Sequence, residues 1–201
     1  CNAHEKTSDI TDINRYVALN TKTIKESIVP FKNGKSKSMP PLEELRSVLE
    51  YDQETGVFVW KKRGYGRTVG KVAGSKDIAG YLRIAINGER FKSHRLAWFY
   101  VHGFDPGDLV IDHIDGDPSN NRIHNLRLAT NAQNGMNSKV NSNSKTGEKN
   151  VCWDNEQQKW LVQVCGLDGK RYKERFRIFE QACERSFELR KLVHGEYARH
   201  N

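Results

Sequence analysis

The sequence predicts an α+β fold of two small units in tandem, and three observations predict it. Short apolar runs with period-two alternation recur between turn signals, which marks half-buried strands in hairpins. Helical stripes appear at three places, beginning near residues 42, 94 and 179. A Ser-, Asn-, Lys- and Gly-rich stretch at 138–150 separates a larger unit from a smaller one.

Residues 1–38 are polar and hold the run Lys32-Asn33-Gly34-Lys35-Ser36-Lys37-Ser38. That composition predicts a poorly ordered segment or a tail that touches a polyanion. The larger unit spans 39–138. Met39, a candidate start residue, precedes Pro40-Pro41 and a helical pattern of Leu42, Leu45, Val48 and Leu49. Gly56 to Trp60 is a short strand, and Gly80 to Ile86 alternates with period two. Asn87-Gly88 is a strong hairpin turn, from which Arg90 to Ser93 returns as the partner strand. His94 to Val101 reads as a buried helix. Lys61, Lys62, Arg63, Arg67 and Lys71 crowd a Gly-rich link with no acid among them, either a solvated loop or a phosphate-contacting arm.

A linker is expected at 139–149 and a second unit at 150–201. Val151 to Trp153, Lys159 to Cys165 and Lys170 to Phe176 are its strands, with Asp168-Gly169 as a hairpin turn. A helix follows with Phe179, Ala182, Leu189 and Val193 on one face and Ser186 interrupting the stripe.

Composition bounds the function. The 201 residues carry a formal net charge of +8, which favours a polyanionic partner. Four cysteines form no C-x-x-C pair, arguing against a zinc ribbon and a disulfide framework and for reduced thiols in an intracellular protein. No apolar run approaches the ~20 residues of a membrane span, and the N-terminus does not resemble a signal peptide.

The chemistry concentrates in IDHIDGDPSNNRIHNLRLATNAQNGMN. Leu109-Val110-Ile111 is an apolar strand that ends in Asp112 and His113, and Asp115-Gly116-Asp117-Pro118 opens a polar loop. Asn125 begins a second short strand. Thr130 is an N-cap that sets Asn134 one turn into a helix. Hydrolysis of a phosphodiester needs a proton acceptor for the attacking water, and neutral imidazole suits that task. The ring's other N–H needs an acceptor, which the Asn125 amide can supply. A divalent ion must neutralise charge at phosphorus and at the leaving oxygen. Asp112 and Asn134 are oxygen ligands, which suit Mg²⁺ or Mn²⁺ better than zinc.

This segment closely resembles the HNH endonucleases, specifically homing-type enzymes of phages with a ββα-metal (His-Me finger) core. The resemblance covers residues 40–138, including Glu50 to Trp60 and His94 to Trp98 upstream. It implies that His113 is the general base and Asn125 its orienting residue, with Asp112 and Asn134 holding one Mg²⁺ or Mn²⁺. The family's third histidine is asparagine here, as in the homing branch. Asn131 and Asn137 are the rivals of Asn134. His94 and His102 are expected to pack, and His124 to lie at the surface.

Residues 150–201 resemble the AP2 DNA-binding domain through Val151, Trp153, Lys159-Trp160, Gly169-Lys170-Arg171, Phe176, Ala182 and His194 to Tyr197. That resemblance implies double-stranded DNA as partner, with the three-stranded sheet in the major groove. Trp160, Val162 and Val164 would face the helix, leaving Lys159, Gln163 and Cys165 toward DNA. Lys170, Arg171 and Tyr172 are expected to face DNA as well. The implied protein is a metal-dependent DNA endonuclease, favoured as a monomer, without a small-molecule cofactor, acting in the cytoplasm of the bacterial host of a phage or mobile element. The rival is a catalytically silent DNA-binding regulator on the same fold, which would shift DNA in a gel and never cut it.

Overall fold

The computed structural model describes residues 38–199, and the expectation for the polar N-terminal segment lies outside them. Helix α1 (Leu42–Val48) runs directly into strand β1 (Leu49–Asp52), which pairs antiparallel with β2 (Val57–Trp60). Leu49, read from sequence as the last helical residue, is thus the first of the strand. Its side chain stays in the same core, so the apolar pattern survives the change of element. A second sheet follows in the order β3 (Ser75–Lys76), β4 (Leu82–Ile86), β5 (Glu89–Lys92). Asn87 and Gly88 both take positive φ, 50° and 81°, as a tight hairpin turn of this hand demands.

Helix α2 (Ser93–His102) ends at Gly103 in the left-handed region, where the Gly103 N–H donates to Phe99 O. Leu96 and Ala97 of α2 pack on Leu45, Leu49, Phe58, Ile84 and Ile86, giving one core shared by both hairpins and two helices. Against that core lies a third hairpin, β6 (Val110–His113) with β7 (Leu126–Ala129). Helix α3 (Asn131–Met136) follows. The Gln133 N–H donates to Thr130 Oγ1 and the Thr130 N–H to Gln133 Oε1, a reciprocal capping box. The hairpin and α3 form the strand–loop–strand–helix unit expected from sequence.

The second unit is a sheet in the order β10 (Arg171–Phe176), β9 (Lys159–Cys165), β8 (Val151–Asp154), covered by α4 (Phe179–His194). Val151, Val162, Val164, Ala182 and Leu189 are its core. Ser186 interrupts the apolar stripe because its hydroxyl donates to Lys149 O, which ties the helix to the preceding segment.

Tyr172 departs from expectation. It lies opposite the buried Val164 in the β9–β10 register and packs with the helix-side core, not on the open face. Side chains alternate along a strand, so Arg171, Lys173 and Arg175 take the open face beside Cys165, Gln163 and Leu161. The Arg185 guanidinium of α4 grips Glu174, which fixes the same parity.

The segment 139–149 does more than link. Lys149 Nζ donates to Met136 O and Ser138 O, satisfying one carbonyl in the last turn of α3 and one just past it. Burial first, then the charges of Arg190 and Arg199, push its ammonium down to about 8. Among the described residues, no helix is long and apolar enough to cross a membrane.

Candidate active site

Strand β6 is apolar at Ile111 and ends in two polar residues, Asp112 and His113, each only 5% exposed. Burying two polar side chains in succession is costly unless each finds partners. Both do.

His113 Nε2 lies 3.0 Å from Asn121 Oδ1. An amide oxygen only accepts, so Nε2 carries the proton and the lone pair lies on Nδ1. The ring is walled by His94 of α2, edge-on at 5.0 Å between centroids, and by Tyr81 at 6.0 Å. His94 is pushed down to about 3, by burial first and by the His113 charge second. It stays neutral beside His113, with its Nδ1 buried and unpartnered among the described residues.

Asn121 is buried and held from the first hairpin. Tyr51 of β1 donates its hydroxyl to Asn121 O at 2.6 Å, Ile123 N donates to Gln53 O, and Arg122 Nε donates to Glu54 O. Gly56, at φ +73°, lets the β1–β2 turn approach closely, since a Cβ there would collide with Arg122 N and Asn121 C. The upstream hairpin is therefore the buttress of the loop that meets His113.

Asn125 takes a different position from the one expected. Its Nδ2 donates to Asp115 Oδ1 and Asn120 O, and its Oδ1 accepts from Asp115 N. The short 3-10 turn Ile123–Asn125 sets the residue before β7, turning its side chain into the loop and not onto the ring. The amide on the imidazole is that of Asn121, and Asn125 stitches the loop that carries it. Burial raises the Asp115 carboxyl, but the Asp117 N–H and the Asn125 and Asn120 amides outweigh it and leave the group below the usual range.

Asp112 faces two donors. Arg127, directly opposite it across the β6–β7 pair, approaches Asp112 Oδ2 with Nε at 2.9 Å and Nη2 at 2.8 Å. Asn137, the residue that caps α3, donates Nδ2 to both carboxylate oxygens at 3.0 Å and to His113 O at 2.7 Å. Three acceptors around that nitrogen fix the amide's orientation, because its oxygen would be repelled there. Asn134, one turn earlier, is exposed and makes no side-chain hydrogen bond among the described residues. Asn131 is exposed as well.

The donor set fits a hard divalent ion of small demand. One carboxylate and one free amide oxygen offer oxygen ligands only, and no group of three or more His, Cys, Asp or Glu side chains gathers as a cation cage among the described residues. Sequence reasoning passed over Asn121 and Arg127. Nothing in the period of the segment marks Asn121. Arg127 is readable once the two strands are aligned, because register sets it opposite Asp112.

Comparison with known proteins adds the family. A family model described as HNH endonuclease matches residues 91–136, the span from β5 to the end of α3. Protein 3.8 of Escherichia phage T7 is 32% identical over 108 residues, which cover 54% of this chain and 88% of that protein. An HNH endonuclease of Acanthamoeba polyphaga mimivirus is 40% identical over 57 residues, 28% of this chain and 30% of its own length. The solved structure of the HNH homing endonuclease I-HmuI, described for DNA binding and cleavage, is similar at 24% identity and a TM-score of 0.38, over 74% of this chain and 83% of that one.

Proposed function

This chain belongs to the HNH endonuclease family and is a DNA-cleaving hydrolase, and from that premise we propose that it cuts double-stranded DNA at the centre formed by His113 and Asp112. The observation that carries the reading is the His113 Nε2–Asn121 Oδ1 hydrogen bond beside a buried carboxylate. With Nε2 committed as donor, Nδ1 accepts the proton of the attacking water. Asn121 orients the ring directly, and Asn125 acts one step behind it by ordering the loop.

Asp112 and Asn134 would hold one Mg²⁺ or Mn²⁺, with phosphate and water completing the shell. Bound there, a divalent ion supplies charge neutralisation at the phosphorus and the leaving oxygen. Asn137 keeps its nitrogen on Asp112 and so sets the carboxylate's direction.

The second unit serves as the DNA-recognition module, as its AP2-like pattern implies. The support is its open face, where Lys159, Gln163, Arg171, Lys173 and Arg175 stand together with Lys170 at the hairpin tip. Such a ribbon fits the major groove. The phage and giant-virus relatives support action inside a host cell.

Supercoiled plasmid incubated with Mg²⁺, and separately with excess EDTA, tests the reading. Cleavage should require the metal and should fall by about 10²–10⁴-fold in His113→Ala. Metal-independent cutting, or full activity of His113→Ala, would overturn the mechanism.

A further inference from the structure

The C-terminal segment beyond α4 lies against the active-site hairpin. Arg127 Nη1 donates to Glu196 O at 2.7 Å, and its guanidinium stacks on the Tyr197 ring at 4.1 Å. The Tyr197 hydroxyl donates to Leu128 O, on the same strand as Arg127. Two residues on, the Arg199 guanidinium occupies the space that a Cβ at Gly116 would need, on the loop between β6 and β7. One wall of Arg127 is therefore the second unit, and the other is Asp112.

That arrangement has an electrostatic consequence. Arg127 neutralises the Asp112 carboxylate and covers its Oδ2 with two N–H donors. An aromatic face and a carbonyl hold the guanidinium in place. A divalent ion approaching Asp112 meets this fixed cation. Coulomb repulsion between a dication and a guanidinium that share one carboxylate is enough, even at the dielectric of bulk water, to weaken binding about tenfold.

We propose that Arg127 is a positioning residue of the cleavage site, clamped on Asp112 by Glu196 and Tyr197, and that it competes there with the divalent ion. The second unit thereby sets how readily the nuclease centre loads metal. The inference rests on the assignment of Asp112 as the metal carboxylate.

Mn²⁺ binding to the full chain without DNA, followed by electron paramagnetic resonance, tests it independently of cleavage. Arg127→Met keeps the side chain's length without its charge and should bind Mn²⁺ about tenfold more tightly than wild type. Tyr197→Ala, which frees the guanidinium but keeps it, should tighten binding by a smaller factor. Arg127→Lys, still cationic, should stay close to wild type. Circular dichroism checks that each variant is folded. A folded Arg127→Met that binds Mn²⁺ no more tightly than wild type overturns the inference. If binding is also indifferent to Asp112→Asn, the ion lies elsewhere and the metal assignment falls with it. Binding lost in Asp112→Asn but insensitive to Arg127→Met overturns the role of Arg127 alone.

Discussion

Asn121 Oδ1 accepts a hydrogen bond from His113 Nε2–H at 3.0 Å, so a loop amide decides which nitrogen of the imidazole keeps its lone pair. The backbone of Asn121 is in turn fixed by the Tyr51 hydroxyl. Orientation of the His113 ring is a long-range property here, passed from β1 through one carbonyl to one imidazole.

Removing that amide should therefore damage turnover more than substrate binding. Asn121→Leu is expected to lower kcat by about 10–100-fold, the usual effect of losing a partner that orients a functional group. KM should change little, because Asn121 is buried and has no surface to offer DNA. Initial rates on a cleavable duplex check the split. A variant that raised KM alone would place Asn121 in binding.

Gly56 offers a test of the buttress. At φ +73°, alanine is strained, and its Cβ would strike Arg122 N and Asn121 C. Gly56→Ala should cost roughly 1–3 kcal/mol of stability and should also slow cleavage, because relief of the collision displaces Asn121. Gly88→Ala is the control, since it shares positive φ (+81°) but has open space around the added methyl. It should lose stability without losing rate below its melting temperature. Thermal melts and single-turnover rates separate the two.

Stability should fall on the acid side, and His94 gives the sign. Its folded-state value, about 3, lies below the ordinary 6.5, so between those limits the unfolded chain binds more protons. Stability therefore rises with pH through that window and is lost as pH drops through it, by up to about 1.4 kcal/mol per pH unit. His102 and His194 are lowered by burial too and add to the same limb. The groups that bear on His94 besides burial are His113, Lys92, Arg95 and Arg83, all cationic when charged, so none opposes the shift. His94→Gln should flatten the dependence of the urea midpoint on pH between 6.5 and 4; an unchanged slope would mean that His94 is not what titrates.

The legible part of the site was what local periodicity specifies. Asp112 and His113 end an apolar strand, and Thr130 with Gln133 announces α3, because caps and strand ends are written in adjacent residues. The illegible part depended on small backbone rotations. The 3-10 turn at Ile123–Asn125 exchanges Asn125 for Asn121 at the ring. Asn137 reaches Asp112 only because the chain leaves α3 there, with the cap residue turned back toward β6. Tyr172 likewise hung on one register in a hairpin, where a shift of one residue inverts every side chain.

That register yields a last prediction, about DNA. Lys173 stands opposite Gln163 on the open face of the sheet, whereas Tyr172 stands opposite Val164 and packs against the buried core on the helix side. If this face enters the major groove, Lys173→Ala removes one phosphate contact and should reduce the log–log salt slope of binding by about 0.9. Tyr172→Phe should leave affinity and slope unchanged, since the ring stays in the core, while Tyr172→Ala should lower stability by about 0.5–3 kcal/mol. Fluorescence anisotropy across a salt series, paired with melts, distinguishes the faces. A loss of affinity in Tyr172→Phe with no change in Lys173→Ala would put the other side of the ribbon against DNA.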